Sequence, residues 1–145
     1  MIDGSTARSC ASCIGLASNA RFWEPVGESL AAAGHPVYAP DLRGHGQSDK
    51  PANGYDFEAV TRDVAGLASD LGLSRVILAG HSWGGAVALD HATRYDPAGL
   101  VLIDGGFTQL SDAPEATWDK VERALAPPRL AGTPLSAFLE RLESA

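Results

Sequence analysis

Gly80-His81-Ser82-Trp83-Gly84 fits the pattern G-x-S-x-G. It lies between the apolar run Val76-Ile77-Leu78-Ala79 and a helical pattern that begins near Gly85. A serine on a sharp strand-to-helix turn is lifted clear of the sheet, and flanking glycines avoid clashes between the chain segments that cross there. Its hydroxyl then stands at a helix N-terminus, where free N–H groups and the helix dipole favour a developing negative charge. Such a nucleophile elbow predicts hydrolysis of a carbonyl substrate. The bare motif also arises by chance, and the flanking strand and helix are what give it weight.

A serine hydroxyl is a poor nucleophile until a base, usually histidine, takes its proton. The histidines are His35, His45, His81 and His91. His81 belongs to the turn itself, so its ring is expected to face away from the serine. His45 sits in the loop of residues 41–49 at the same end of the sheet and is the least implausible substitute base. His35 precedes a strand and His91 falls mid-helix, which reads as structural. Asp104 closes an apolar strand beside the elbow, where an aspartate most readily satisfies local backbone donors before Gly105-Gly106. Cys10 and Cys13 form a lone C-x-x-C without the second ligand pair of a zinc site or the helix start of a redox pair. They read as two small incidental thiols, and no metal is expected.

These groups need a scaffold. Asn19 or Ser18 can cap a first helix carrying Phe22, Val26, Leu30 and Ala33 at helical spacing, ended by Gly34. Residues 36–39 form a short strand. Asp56 caps a second helix with Val60, Val64, Leu67 and Leu71 on one face and Gly72 beyond its end. Residues 75–79 form the strand that feeds the elbow. The helix after Ser82 runs to about Tyr95, where Asp96-Pro97 stops it. Leu100-Val101-Leu102-Ile103 is a further strand. The alternation predicts an α/β fold, a three-layer α/β/α sandwich on a mainly parallel sheet. After Phe107 the prolines break the chain into short amphipathic pieces, one with Trp118, Val121 and Leu125, the other with Leu135, Phe138, Leu139 and Leu142.

The 145 residues suit one domain, and 45% hydrophobic with 20% charged content is ordinary for a globular protein. A net charge of −7 without a Lys/Arg cluster argues against nucleic acid or an anionic membrane as partner. No apolar run is long enough to span a bilayer, and residues 1–8 lack the apolar core of a signal peptide, so the cytoplasm is the expected location.

Four stretches together resemble the α/β-hydrolase superfamily, in its cap-bearing branch: Gly15-Leu16-Ala17-Ser18, Asp41-Leu42-Arg43-Gly44-His45-Gly46-Gln47-Ser48, Gly80-His81-Ser82-Trp83-Gly84-Gly85 and Leu100-Val101-Leu102-Ile103-Asp104. The resemblance covers roughly residues 13–107 and implies a truncated α/β-hydrolase fold, with residues 1–107 as a partial core and residues 108–145 as the start of a helical cap. It implies Ser82 as nucleophile, forming an acyl-enzyme that water cleaves. The backbone N–H groups of Leu16 and Trp83 would then be the oxyanion donors, with neither metal nor organic cofactor. Serine at the elbow, where epoxide hydrolases and dehalogenases of this branch carry aspartate, favours an ester, lactone or related carbonyl substrate.

Two departures accompany the resemblance. Ile14 stands where the family usually has histidine, and Arg8-Ser9-Cys10-Ala11-Ser12-Cys13 lacks the continuous Val/Ile/Leu character of a strand covered on both faces. The family's catalytic histidine and its acid follow the cap, beyond residue 145, although some branches place the acid where Asp104 stands. This chain by itself is therefore expected to be a weak or inactive hydrolase. The alternative is a non-catalytic binding protein for a small molecule that retains the fold. The strand ending at Ile103 would form an exposed edge, prone to pair with other chains; the oligomeric state is open.

Overall fold

A computed structural model describes residues 18–105, the backbone of residues 9–13 and scattered positions from 117 to 140. Strand β1 (Ser9–Cys13) leads to a 3-10 turn (Ala20–Trp23), helix α1 (Glu24–Ala32) and strand β2 (Val37–Tyr38). Helix α2 (Phe57–Asp70), strand β3 (Val76–His81), helix α3 (Trp83–Arg94) and strand β4 (Gly99–Ile103) follow. The described strands make one parallel sheet in the order β2-β1-β3-β4.

That order places the site. From β1 the chain moves outward to β2, whereas from β3 it moves the other way to β4. Right-handed crossovers then put α1 on one face of the sheet and α2 and α3 on the other. A crevice opens where neighbouring connections diverge, at the carboxyl ends of β1 and β3. Ser82 follows the last residue of β3, and Cys13, the last of β1, is in register with Gly80.

The elements obey their local chemistry. Asp56 caps α2, its side chain accepting from the Ala59 N–H at 2.8 Å, which satisfies an otherwise orphaned donor. Gly72, at φ 66°, takes the left-handed conformation that ends the helix. Val60 and Val64 of α2 and Val87 and Ala88 of α3 bury themselves against Val76 and Leu78 of β3. Full burial of a side chain such as Leu78 stabilises by about 2 kcal/mol. Thr61, also fully buried, directs its hydroxyl to the Phe57 carbonyl at 2.8 Å.

Two expectations are corrected. Ser9–Cys13 does not read as a central strand, yet it lies between β2 and β3 and pairs with both. Ladder hydrogen bonds use backbone groups that every non-proline residue carries, so two paired neighbours hold a strand that its own composition would not nominate. The stripe Phe22, Val26, Leu30 and Ala33 was expected to face the core. Instead Phe22 and Val26 are exposed, α1 has no buried residue, and Trp23 in the preceding 3-10 turn is the residue that enters the core. The tighter turn shifts the phase of the face, so a strict 3.6-residue count misplaces it. The amphipathic pieces read after Phe107 fall mostly outside the described residues, although positions 119, 120, 136, 137 and 140 are helical.

β4 is an edge among the described residues, with Val101 and Ile103 exposed. Replacing Val101 by lysine is expected to raise the monomeric fraction of the 145-residue chain in light scattering, since edge lysines block strand pairing; unchanged self-association would locate the contact elsewhere. His91 is buried with its Nδ1 unpartnered, and loss of hydration pushes its pKa down. A base depressed in the folded state loses stability as pH falls below its ordinary value near 6.5. The drop in Tm between pH 7 and pH 5 should therefore shrink in His91→Leu, and an unchanged drop would assign it to other groups.

Candidate active site

β3 runs straight into α3 through one residue. Ser82 adopts φ 52° and ψ −121°, outside the ordinary regions for a side-chain-bearing residue. A conformation of this kind costs about 1–3 kcal/mol and persists only where its surroundings impose it. They do so from both sides. The Ser82 N–H donates to the Ile103 carbonyl at 2.9 Å, and the Ser82 carbonyl accepts from Gly85 N–H at 2.9 Å. A Cβ on Gly80 would overlap the Gly84 carbonyl, so the first turn of α3 passes over β3 only because residue 80 has no side chain. A Cβ on Gly105 would lie 3.1 Å from the Ser82 Cα, so the end of β4 closes against the elbow equally tightly.

The serine side chain is exposed and makes no hydrogen bond among the described residues. Trp83 is the first residue of α3, so its N–H has no acceptor within the helix and points from the positive end of the dipole. Leu16, the other expected oxyanion donor, and the Ile14-Gly15 turn lie outside the described residues.

The residues on either side of Ser82 are both held by ring stacking. The His81 imidazole packs on Phe22 with centroids 4.9 Å apart and lies 3.8 Å from the Asp104 carboxylate through Nε2. No hydrogen bond joins its ring to Ser82 among the described residues. Trp83 stacks on His45 at 5.9 Å, with Phe57 at 6.3 Å. His45 turns its Nδ1 to the Arg43 carbonyl at 3.0 Å, and no hydrogen bond joins it to Ser82. His91 lies in α3 against Tyr95, and His35 just precedes β2. None of the histidines is thus paired with Ser82 in this structure.

The loop of residues 41–49 is a built object. The Asp41 carboxylate accepts from the Ala20 N–H at 2.7 Å and the Gln47 N–H at 2.8 Å, which hold its pKa below the usual carboxylate value. Ser48 donates its hydroxyl to the Asp41 carbonyl at 2.6 Å, and Lys50 reaches the Gly46 and Ser48 carbonyls. Arg43 grips Asp63 of α2 through Nε and Nη2, each at 2.6 Å, and gives Nη1 to the Gly54 carbonyl. A two-pronged guanidinium–carboxylate contact fixes orientation as well as position. Gly46 sits at φ 47°, where a Cβ would collide with the Asp41 carboxylate. The motif Asp41–Ser48 announced this loop in the sequence, but nothing local announced Asp63 or Phe22 as partners.

No group of three or more His, Cys, Asp or Glu among the described residues could hold a metal ion. Likewise, no helix among them is long and apolar enough to cross a membrane.

A parallel sheet with helices on both faces and a serine at positive φ between strand and helix defines an α/β protein of the nucleophile-elbow class. The chain belongs to the alpha/beta hydrolase family, whose profile matches residues 13–144. It is 38% identical over 99 residues to AB hydrolase superfamily protein YisY of Bacillus subtilis, covering 66% of this chain and 37% of that protein. It is 46% identical over 79 residues to a soluble epoxide hydrolase of Corynebacterium, covering 54% and 27%. Its fold superposes on an esterase from Exiguobacterium antarcticum with a TM-score of 0.68 at 30% identity, covering 80% of this chain and 46% of the esterase. The chain thus spans less than half the length of these relatives.

The close passage of α3 over β3 has a direct test. Gly80→Ala forces a methyl group into the Gly84 carbonyl, an overpacking that costs about 3 kcal/mol. Chemical denaturation is expected to show that loss; a variant as stable as the parent would mean that the elbow relaxes freely.

Proposed function

We propose that the site belongs to a serine hydrolase acting on an ester, lactone or related carbonyl substrate, with Ser82 as its nucleophile. The observation that carries the reading is a serine, not an aspartate, at a strained elbow, with its hydroxyl exposed and without a hydrogen bond among the described residues. Names among the relatives point two ways, to an epoxide hydrolase and to an esterase. The elbow residue favours the carbonyl substrate: a serine oxygen attacking a carbonyl carbon yields an ester that water can cleave.

In the first step a bond forms between Ser82 Oγ and the carbonyl carbon. The hydroxyl proton passes to a base, and collapse of the tetrahedral intermediate breaks the bond to the leaving oxygen, which takes that proton from the base and becomes the alcohol. In the second step water gives a proton to the base as it attacks the acyl carbon; the acyl–Oγ bond then breaks, the carboxylic acid is released, and the base returns the proton to Ser82 Oγ. The negative oxygen of each intermediate would be met by the N–H of Trp83 and by that of Leu16, three residues after Cys13 in the strand beside the elbow. Each donor is worth about 3 kcal/mol at the transition state. The base is assigned to a histidine of the segment that follows the cap in the family, since none of His35, His45, His81 and His91 is hydrogen-bonded to Ser82. Residues 1–107 are assigned to the partial core and residues 108–145 to the start of the cap.

Incubation with a fluorophosphonate, followed by mass spectrometry, tests the assignment. A single adduct on Ser82 is expected, forming slowly in the 145-residue chain and not at all in Ser82→Ala. A folded chain that never acquires the adduct would overturn the reading in favour of a binding role.

A further inference from the structure

The proposed oxyanion donor at Trp83 raises the question of what fixes its position. Trp83 is a first-turn residue, and the backbone N–H of its own peptide has no acceptor in the helix. Helix ends fray unless something outside the helix holds them. On the opposite side of the serine, His81 is braced by Phe22. On this side, among the described residues, the ring stacked nearly parallel to the Trp83 indole is His45, at an interplanar angle of 23°.

His45 is itself immobilised. Its Nδ1 donates to the Arg43 carbonyl at 3.0 Å, which sets the tautomer and the plane of the ring. Arg43 is anchored in turn by the forked contact to Asp63 of α2 and by Gly54. A connected path therefore runs from the middle of α2, through Arg43 and His45, to the residue that follows Ser82. Phe57, the first residue of α2, lies near the same indole, with ring centroids 6.3 Å apart and tilted by 32°.

We infer that His45 is a positioning residue, whose imidazole clamps the Trp83 indole and thereby holds the Trp83 N–H in place at the elbow. The inference rests on the serine-hydrolase reading for its consequence in catalysis, but the clamp itself does not. His45 supplies a flat, polar ring with one edge bonded to the backbone and one face on the indole; it takes no proton from Ser82. A displacement of reacting groups by about 1 Å is enough to lower rates by up to a hundredfold. An unclamped donor should therefore register in the chemistry of Ser82.

The test uses the whole chain with three variants, and two readouts taken side by side. The first is the exchange broadening and hydrogen exchange of the Trp83 and Gly84 amides by NMR. The second is the rate of fluorophosphonate labelling at Ser82. His45→Ala is expected to broaden both amides and to slow labelling about tenfold, within the range for a misplaced catalytic group. His45→Phe keeps a stacking ring without the Nδ1 donor and is expected to restore sharp amides and most of the labelling rate. His45→Asn keeps a polar group without the ring and is expected to behave like alanine. Rescue by phenylalanine but not by asparagine is the pattern that a general loss of stability would not produce.

Amides and labelling as in the parent chain for a folded His45→Ala would overturn the clamp. So would rescue by asparagine rather than phenylalanine. If His45→Ala does not fold, the contrast between the phenylalanine and asparagine variants decides the matter alone. If the parent chain is folded but never labels, the serine-hydrolase reading fails, and the amide measurements still decide whether His45 holds Trp83.

Discussion

Everything around the elbow depends on one close crossing: the first turn of α3 over the end of β3, with Gly80 under the Gly84 carbonyl. That crossing leaves room for a single residue between strand and helix, and the residue must take positive φ to make the turn. The cost in backbone energy falls on Ser82, and the hydrogen bonds it gives to the Ile103 carbonyl and accepts from the Gly85 N–H offset it. The consequence is chemical. A side chain at such a point stands clear of the sheet, at a helix start where N–H groups are free.

A strained residue needs neighbours that cannot yield, and the sheet supplies them by topology. Parallel strands β1, β3 and β4 bring Cys13, Gly80 and Ile103 to the same edge. The diverging connections open a crevice there. Gly105 then closes against Ser82 from β4, while Phe22 and His45 brace His81 and Trp83 from two loops on either side. None of these contacts is large by itself. Their combined effect is to hold the backbone at Ser82 from several sides.

The loop of residues 41–49 has a share in this that its sequence did not suggest. Its glycines and Asp41 read as a polar turn and as part of a family signature. In the structure it is a rigid bracket tied to the 3-10 turn by Asp41, to α2 by Arg43 and to α3 by His45. The same histidine that proximity nominated as a substitute base is turned to the Arg43 carbonyl and to the Trp83 ring.

The strand–turn–helix crossing at Ser82, the caps of α2 and the order of strands and helices were legible in the 145 residues themselves. Each depends on local rules: glycine at a crossing, aspartate before a helix, apolar runs between turns. The central place of Ser9–Cys13, the exposure of Phe22 and Val26, and the pairs Arg43–Asp63, Phe22–His81 and His45–Trp83 were not legible. A strand held by its two neighbours needs no apolar composition of its own, and a stacked or forked pair joins residues 20 to 60 positions apart. Only the folded sheet brings those residues together, and so only the tertiary structure decided which of them hold Ser82.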